Sequence, residues 1–234
     1  MGKRILALLA AAMLLLPVRA AACGSVSAGG SPAGYIALTF DDGPSGPATE
    51  AFLQALEQRG AACTFFICGY RMQDFPTDLS AYAAHGHELG VHGWSHIYLR
   101  SESRATLETE LGDTAQLIEE MAGLRPRWFR PPGGLYDEAV CTLAGELDLS
   151  IALWSVDPED WNHRTQAQIV SSILSQAGDG DVVLMHDIFP ASRAAALEIV
   201  DALQARGYAL VTLSTLAAIK GAAAEAGAVY SCFG

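Results

Sequence analysis

Two carboxylates, Asp41 and Asp42, stand side by side at the end of the apolar run Tyr35-Ile36-Ala37-Leu38-Thr39-Phe40, and Gly43-Pro44 stop that run at once. Adjacent anions repel, and burying them costs roughly several kcal/mol unless a cation or a hydrogen-bond donor compensates. The pair therefore asks for a metal, an arginine or both. His92-Gly93-Trp94-Ser95-His96 spaces two imidazoles four residues apart, so one helical turn or a tight loop can aim both at one cation. Alone, that spacing is a weak signal, and two surface or core histidines are the plainer reading. A strand-end carboxylate changes the balance, because two histidines and one carboxylate form a common catalytic zinc set that leaves positions for water and substrate. One of Asp41 and Asp42 then completes the set, and the other is free to take a proton from water acidified by the cation.

Arg130, in Phe129-Arg130-Pro131-Pro132-Gly133-Gly134, is the guanidinium that would keep the free carboxylate ionised and aimed. The prolines stiffen this segment, and the glycines let backbone amides approach a ligand as closely as a developing oxyanion requires. A simple rigid turn is the alternative. His186 ends the buried-type run Val182-Val183-Leu184-Met185 and suits a general acid, with Asp160 raising its pKa by charge proximity. Trp161 and Leu184 would wall a pocket for a small acyl methyl group. Against these readings stand a loop-capping histidine and a core tryptophan.

The elements that must position these groups alternate. Apolar runs at 35–40, 62–68, 88–92, 126–130, 150–156, 181–186 and 208–212 are separated by helix-like stretches at 47–59, 77–86, 102–122, 137–147, 165–177 and 191–206, with a last one at 214–220. In 102–122, Leu107, Leu111, Thr114, Leu117, Ile118 and Met121 recur at helical spacing, while Glu108, Glu110, Asp113, Glu119 and Glu120 fall mostly elsewhere. Seven βα units with short connections predict an α/β fold of parallel strands covered by helices, either a closed or distorted barrel or an open sheet. Asp41-Asp42, His92 and His96, Arg130, Asp157 and Asp160, and His186-Asp187 all fall at or just after the carboxyl ends of separate runs. In a parallel βα fold those ends share one face. No GxGxxG follows the first run, so a dinucleotide-binding sheet has no support.

The chain has 234 residues with a formal charge of −12 and no basic stripe, which argues against nucleic acid as a partner. Lys3-Arg4, the apolar stretch Ile5 to Val18 and the small residues Ala20-Ala21-Ala22 predict a signal peptide over 1–22, because the stretch is too short for a membrane span. Export to the cell envelope or beyond follows. Cys23 offers a point for lipid attachment to the membrane, although Ala20 stands where such signals more usually have leucine. Residues 23–33 form a flexible tether, 34–220 one catalytic domain and 221–234 a C-terminal tail. Cys63 and Cys68 sit in one strand, too far apart for a mutual bridge, so any disulfide is longer range; buried free thiols are the other reading.

Five segments in this order resemble the polysaccharide deacetylase family, the NodB-homology carbohydrate esterases: Thr39-Phe40-Asp41-Asp42-Gly43-Pro44, His92 to His96, Arg130 to Gly134, Asp157 to Trp161, and Leu184 to Asp187. The resemblance spans about residues 34 to 216. It implies a distorted (β/α) barrel of about seven parallel strands and a divalent metal, most often Zn2+ with Co2+ or Mn2+ as alternatives. The implied reaction is hydrolytic removal of N-acetyl or O-acetyl groups from an acetylated polysaccharide, with peptidoglycan favoured by the exported location. By position it makes Asp41 the base, Asp42, His92 and His96 the ligands, Arg130 the partner of Asp41, His186 the acid and Asp160 its tuning group. Pro132, Gly134, Trp161 and Leu184 become the substrate-binding residues. Two positions depart from the family. Gly93 replaces a Ser or Thr, which loosens the turn between the ligands. Gly134 stands where a tyrosine is common, so a stacking ring is lost while the backbone amide still serves the oxyanion.

Overall fold

The computed structural model describes residues 31–234 except Pro76. The signal peptide, Cys23 and most of the tether lie outside the described residues. The seven expected runs become the strands β1 Gly34–Gly43, β2 Thr64–Ile67, β3 Glu88–Val91, β4 Trp128–Phe129, β5 Ser150–Ala152, β6 Val182–His186 and β7 Tyr208–Leu210, and every pairing among them is parallel. An eighth, β8 Val229–Tyr230, pairs with β5. The order is β6-β1-β2-β3-β4-β5-β8, with β7 beside the first residues of β1. Isolated bridges Val156–Val183 and Asp181–Cys232 bring the far edge back to β6, so the sheet is a curled, distorted (β/α) barrel rather than an open one.

The helices are α1 Pro47–Glu57, α2 Gly69–Asp74, α3 Ser80–Ala84, α4 Arg104–Leu107, α5 Thr114–Ala122, α6 Glu138–Glu146, α7 Gln166–Gln176, α8 Pro190–Ala205 and α9 Leu213–Ile219. Their starts follow local chemistry. Pro47 and Pro190 open α1 and α8, where a missing N–H loses nothing, and Thr165 with Gln168 forms a capping box on α7. Residues 102–122 are not one α-helix: a π-helical turn, Glu108–Asp113, separates α4 from α5, and Glu110, expected on the polar face, is buried there.

Strand alternation sorts the core. Ile36, Leu38 and Phe40 face the surrounding helices, while Ala37 points inward and joins Phe66, Trp128, Ala152 and Val182. Leu213, Leu216 and Ala217 of α9 plug this interior, and Trp128 Nε1 donates to Ser214 Oγ at 2.9 Å. Phe233 belongs to the same cluster, so residues 221–234, read from the sequence as a tail, complete the sheet and seal the barrel. With one end filled, the inward positions at the strands' carboxyl ends are left for chemistry. The four described cysteines are free, Cys63 and Cys68 buried.

Candidate active site

A regular strand would point Asp41 and Asp42 to opposite faces. β1 instead carries one extra residue against β2 here, since Phe40 pairs with Phe65 but Gly43 with Ile67, and Asp42 adopts φ 69°. That bulge, with its left-handed residue, turns both carboxylates into one cleft. The cleft is lined by Asp41, Asp42, His92, His96, Tyr98, Gly133, Trp154, Asp157, Trp161, Leu184 and His186, enclosing about 400 Å³.

Asp42, His92 and His96 each aim one donor atom so that the three lie within 4.8 Å of one another. His92 Nε2 is 3.4 Å and His96 Nε2 3.2 Å from Asp42 Oδ1. His92 Nδ1 lies 2.8 Å from the Arg130 carbonyl, an acceptor only, so Nδ1 carries a proton and Nε2 is the nitrogen that faces the cleft, where a cation would take its lone pair. Burial pushes the Asp42 carboxyl up, but His92, His96 and His186 outweigh it and bring it to about 2. Asp42 Oδ1 is buried without a hydrogen-bond partner among the described residues. A desolvated carboxylate oxygen, unpaired and flanked by two imidazole nitrogens, fits a divalent cation, and the donor set is of the kind zinc takes.

Asp41 is held apart from this set. Its Oδ1 accepts from Arg130 Nη1 at 2.8 Å, and its Oδ2 is 3.6 Å from His92 Nε2. Arg130 is fully buried. Three further N–H groups go to Thr39 Oγ1 at 2.7 Å and to the carbonyls of Ala152 and Leu153 at 3.1 and 2.9 Å, with the guanidinium 4.1 Å from the Phe66 ring centre. Four of the five donors of the fork are thereby used, which holds the Asp41 carboxylate oriented against a positive charge.

On the opposite wall, β6 pairs with β1 so that His186 faces Asp41 in register. His186 Nδ1 bonds Asp160 Oδ1 at 2.8 Å, while Asp160 Oδ2 accepts from the His186 N–H at 2.8 Å and from Ser192 Oγ at 2.6 Å. Burial pulls the His186 pKa down, but the Asp160 bond and the Asp41, Asp160 and Asp42 charges prevail and raise it to about 9. A histidine acting as acid loses activity as pH rises through its pKa. Asp160→Asn, which keeps the shape and removes the charge, is therefore expected to move the alkaline limb of the pH–rate profile down by about one unit relative to the parent. An unmoved limb would show that Asp160 does not tune this histidine.

Leu184 and Trp161 line the cleft as expected, whereas Arg130 and Asp160 stand behind it. Pro132 and Gly134 are not among its lining residues. The Gly134 N–H donates to the Pro131 carbonyl at 2.8 Å, closing the turn Pro132–Gly134, so the backbone at the cleft is that of Gly133, one residue earlier, at φ 62°. Tyr98 and Trp154 had no signal in the sequence. A Cβ on Gly133 would lie 2.8 Å from Tyr98 Cε1 and one on Gly134 3.0 Å from Trp154, so two rings from other loops cover the diglycine. Asp187 is buried and is not among the residues lining this cleft.

A parallel βα barrel carrying a His–His–carboxylate cluster, a held carboxylate and a facing imidazole at its strands' carboxyl ends defines a hydrolase class of barrel. The comparisons narrow it: the polysaccharide deacetylase family matches residues 28–152, and the chain belongs to that family. It is 42% identical over 186 residues to the peptidoglycan-N-acetylmuramic acid deacetylase PdaC of Bacillus subtilis, covering 79% of this chain but 39% of that protein. The solved PdaC structure superimposes with a TM-score of 0.74 at 40% identity, covering 80% of this chain and 92% of that one. A peptidoglycan-N-acetylglucosamine deacetylase of Bacillus cereus is 37% identical over 186 residues, covering 77% of this chain and 87% of that protein. An acetyl xylan esterase from Clostridium thermocellum, solved with a cobalt ion, gives a TM-score of 0.78 at 29% identity over 85% of this chain and 98% of that one.

Proposed function

We propose that this chain is a divalent-cation-dependent deacetylase that hydrolyses N-acetyl groups on a glycan, with peptidoglycan as its substrate. The observation that carries this is the unequal fate of two adjacent carboxylates: Asp42 joins two imidazoles, while Asp41 is withheld by a buried arginine. Asp42, His92 and His96 would hold the cation, which supplies positive charge to polarise an acyl carbonyl and to acidify water. Asp41 accepts the proton as water's oxygen bonds to the acyl carbon. His186 Nε2 donates a proton to the departing nitrogen as the carbon–nitrogen bond breaks, leaving acetate and a free amine. The Gly133 backbone, which lines the cleft, would serve the oxyanion, and Leu184 and Trp161, which line it too, would confine the methyl group.

The peptidoglycan assignment is supported by the activities named for the B. subtilis and B. cereus relatives and by the signal-like residues 1–22, from which we also propose export to the cell envelope. Acetate release from peptidoglycan, chitin oligomers and acetylated xylan, measured in parallel with Zn2+, Co2+ and Mn2+, tests the reading. Peptidoglycan is expected to give the largest release. Release from xylan alone would make the chain an O-acetyl esterase, like the acetyl xylan esterase of Clostridium thermocellum. No release with any cation would overturn the catalytic reading.

A further inference from the structure

Glu110 is a buried carboxylate, 2% exposed, that takes no part in the reaction just derived. It sits in the π-helical turn between α4 and α5, a geometry that proteins tend to keep where a side chain must be aimed. Its Oε2 accepts the backbone N–H of Trp94 at 2.7 Å and of Ser95 at 2.9 Å, and its Oε1 lies 3.2 Å from the same Ser95 nitrogen. These amides belong to the three-residue connector between His92 and His96. The connector's carbonyls are taken from elsewhere: Gly93 O accepts from Gly69 N at 3.0 Å and Trp94 O from Tyr70 N at 2.9 Å, both at the start of α2. Gly93 makes room for the carboxylate, since a Cβ there would lie 2.8 Å from Glu110 Oε2, and its φ of 84° already disfavours any side chain. The glycine expected to loosen this turn instead admits the group that ties it.

We propose that Glu110 is a positioning residue that holds the His92–His96 connector in ligand geometry from behind, through two charge-assisted bonds to its amides. The inference rests on the cation site proposed above. The test titrates Zn2+ into the metal-free parent, Glu110→Gln and Glu110→Ala, and follows amide hydrogen exchange at Trp94 and Ser95 in the metal-free proteins. Glu110→Ala is expected to weaken Zn2+ binding by about 10–100-fold, as loss of an outer partner of a metal ligand does. Glu110→Gln, which keeps the shape and one acceptor oxygen, should fall between the two. The amides of Trp94 and Ser95 should exchange faster in both variants while those of β1 stay protected. Parental Zn2+ affinity in Glu110→Gln and Glu110→Ala, whatever their thermal stability, would overturn the proposal by reducing Glu110 to a core support. Should Glu110→Ala fail to fold, parental affinity in Glu110→Gln alone does the same. A parent that binds no divalent cation would instead bring down the cation site itself, and this inference with it.

Discussion

Replacing Asp41 with asparagine is expected to leave a protein that binds a divalent cation with the parent's affinity yet turns over about 10²–10⁴-fold more slowly, the usual span for loss of a general base. Asp41 lies outside the three-donor cluster, so its charge is not needed to hold the cation. Asparagine keeps an oxygen for the 2.8 Å bond from Arg130 Nη1 but cannot accept a proton from water at neutral pH. His92→Ala should behave in the opposite way, with the cation lost first and activity following it, because His92 Nε2 is one of the converging donors. The two variants are compared by cation titration and by acetate release at saturating cation. The reverse pattern, with Asp41→Asn losing the cation and His92→Ala keeping it, would exchange the two roles.

Much of this site was legible because parallel βα topology turns a one-dimensional pattern into a place. Polar residues at the ends of apolar runs must share a face, and Asp41, Asp42, His92, His96 and His186 do converge. The bulge that lets two successive aspartates face one cleft left no mark beyond the pair itself, because it depends on a register slip against β2. Tyr98 and Trp154 were illegible for a different reason. An aromatic residue in a loop reads the same whether it packs, stacks or is merely exposed, and only tertiary placement over Gly133 and Gly134 distinguishes them. The backbone that lines the cleft falls one residue before the expected Gly134 because the turn at Pro132–Gly134 commits the Gly134 N–H internally. α-Helical spacing counts Glu110 among acidic residues that fall mostly off the apolar positions, and a π-turn breaks that spacing. The last strand was missed since Val229-Tyr230 is too short to carry a periodic signal.

Arg130→Met is expected to lower folding stability by about 3–5 kcal/mol, among the largest losses available to a single substitution, because it breaks a buried charge pair and leaves the partner charge in place. Methionine fills similar volume over Phe66 but offers no donors. Asp41 Oδ1 and the carbonyls of Ala152 and Leu153 would lose the Arg130 donors, and Thr39 Oγ1 would keep only its bond to the Val183 carbonyl at 2.7 Å. The loss is read as a shift in denaturant midpoint at constant slope. Asp41→Asn in the same background separates charge from packing. If the pair is the source of the strain, the double variant is less destabilised than the sum of the singles, since no lone anion remains buried. Simple additivity would mean that Arg130 acts through the Ala152 and Leu153 carbonyls alone. In that event the guanidinium is a brace for β5 rather than the group that holds Asp41, and the division of labour between the two adjacent carboxylates would need another cause.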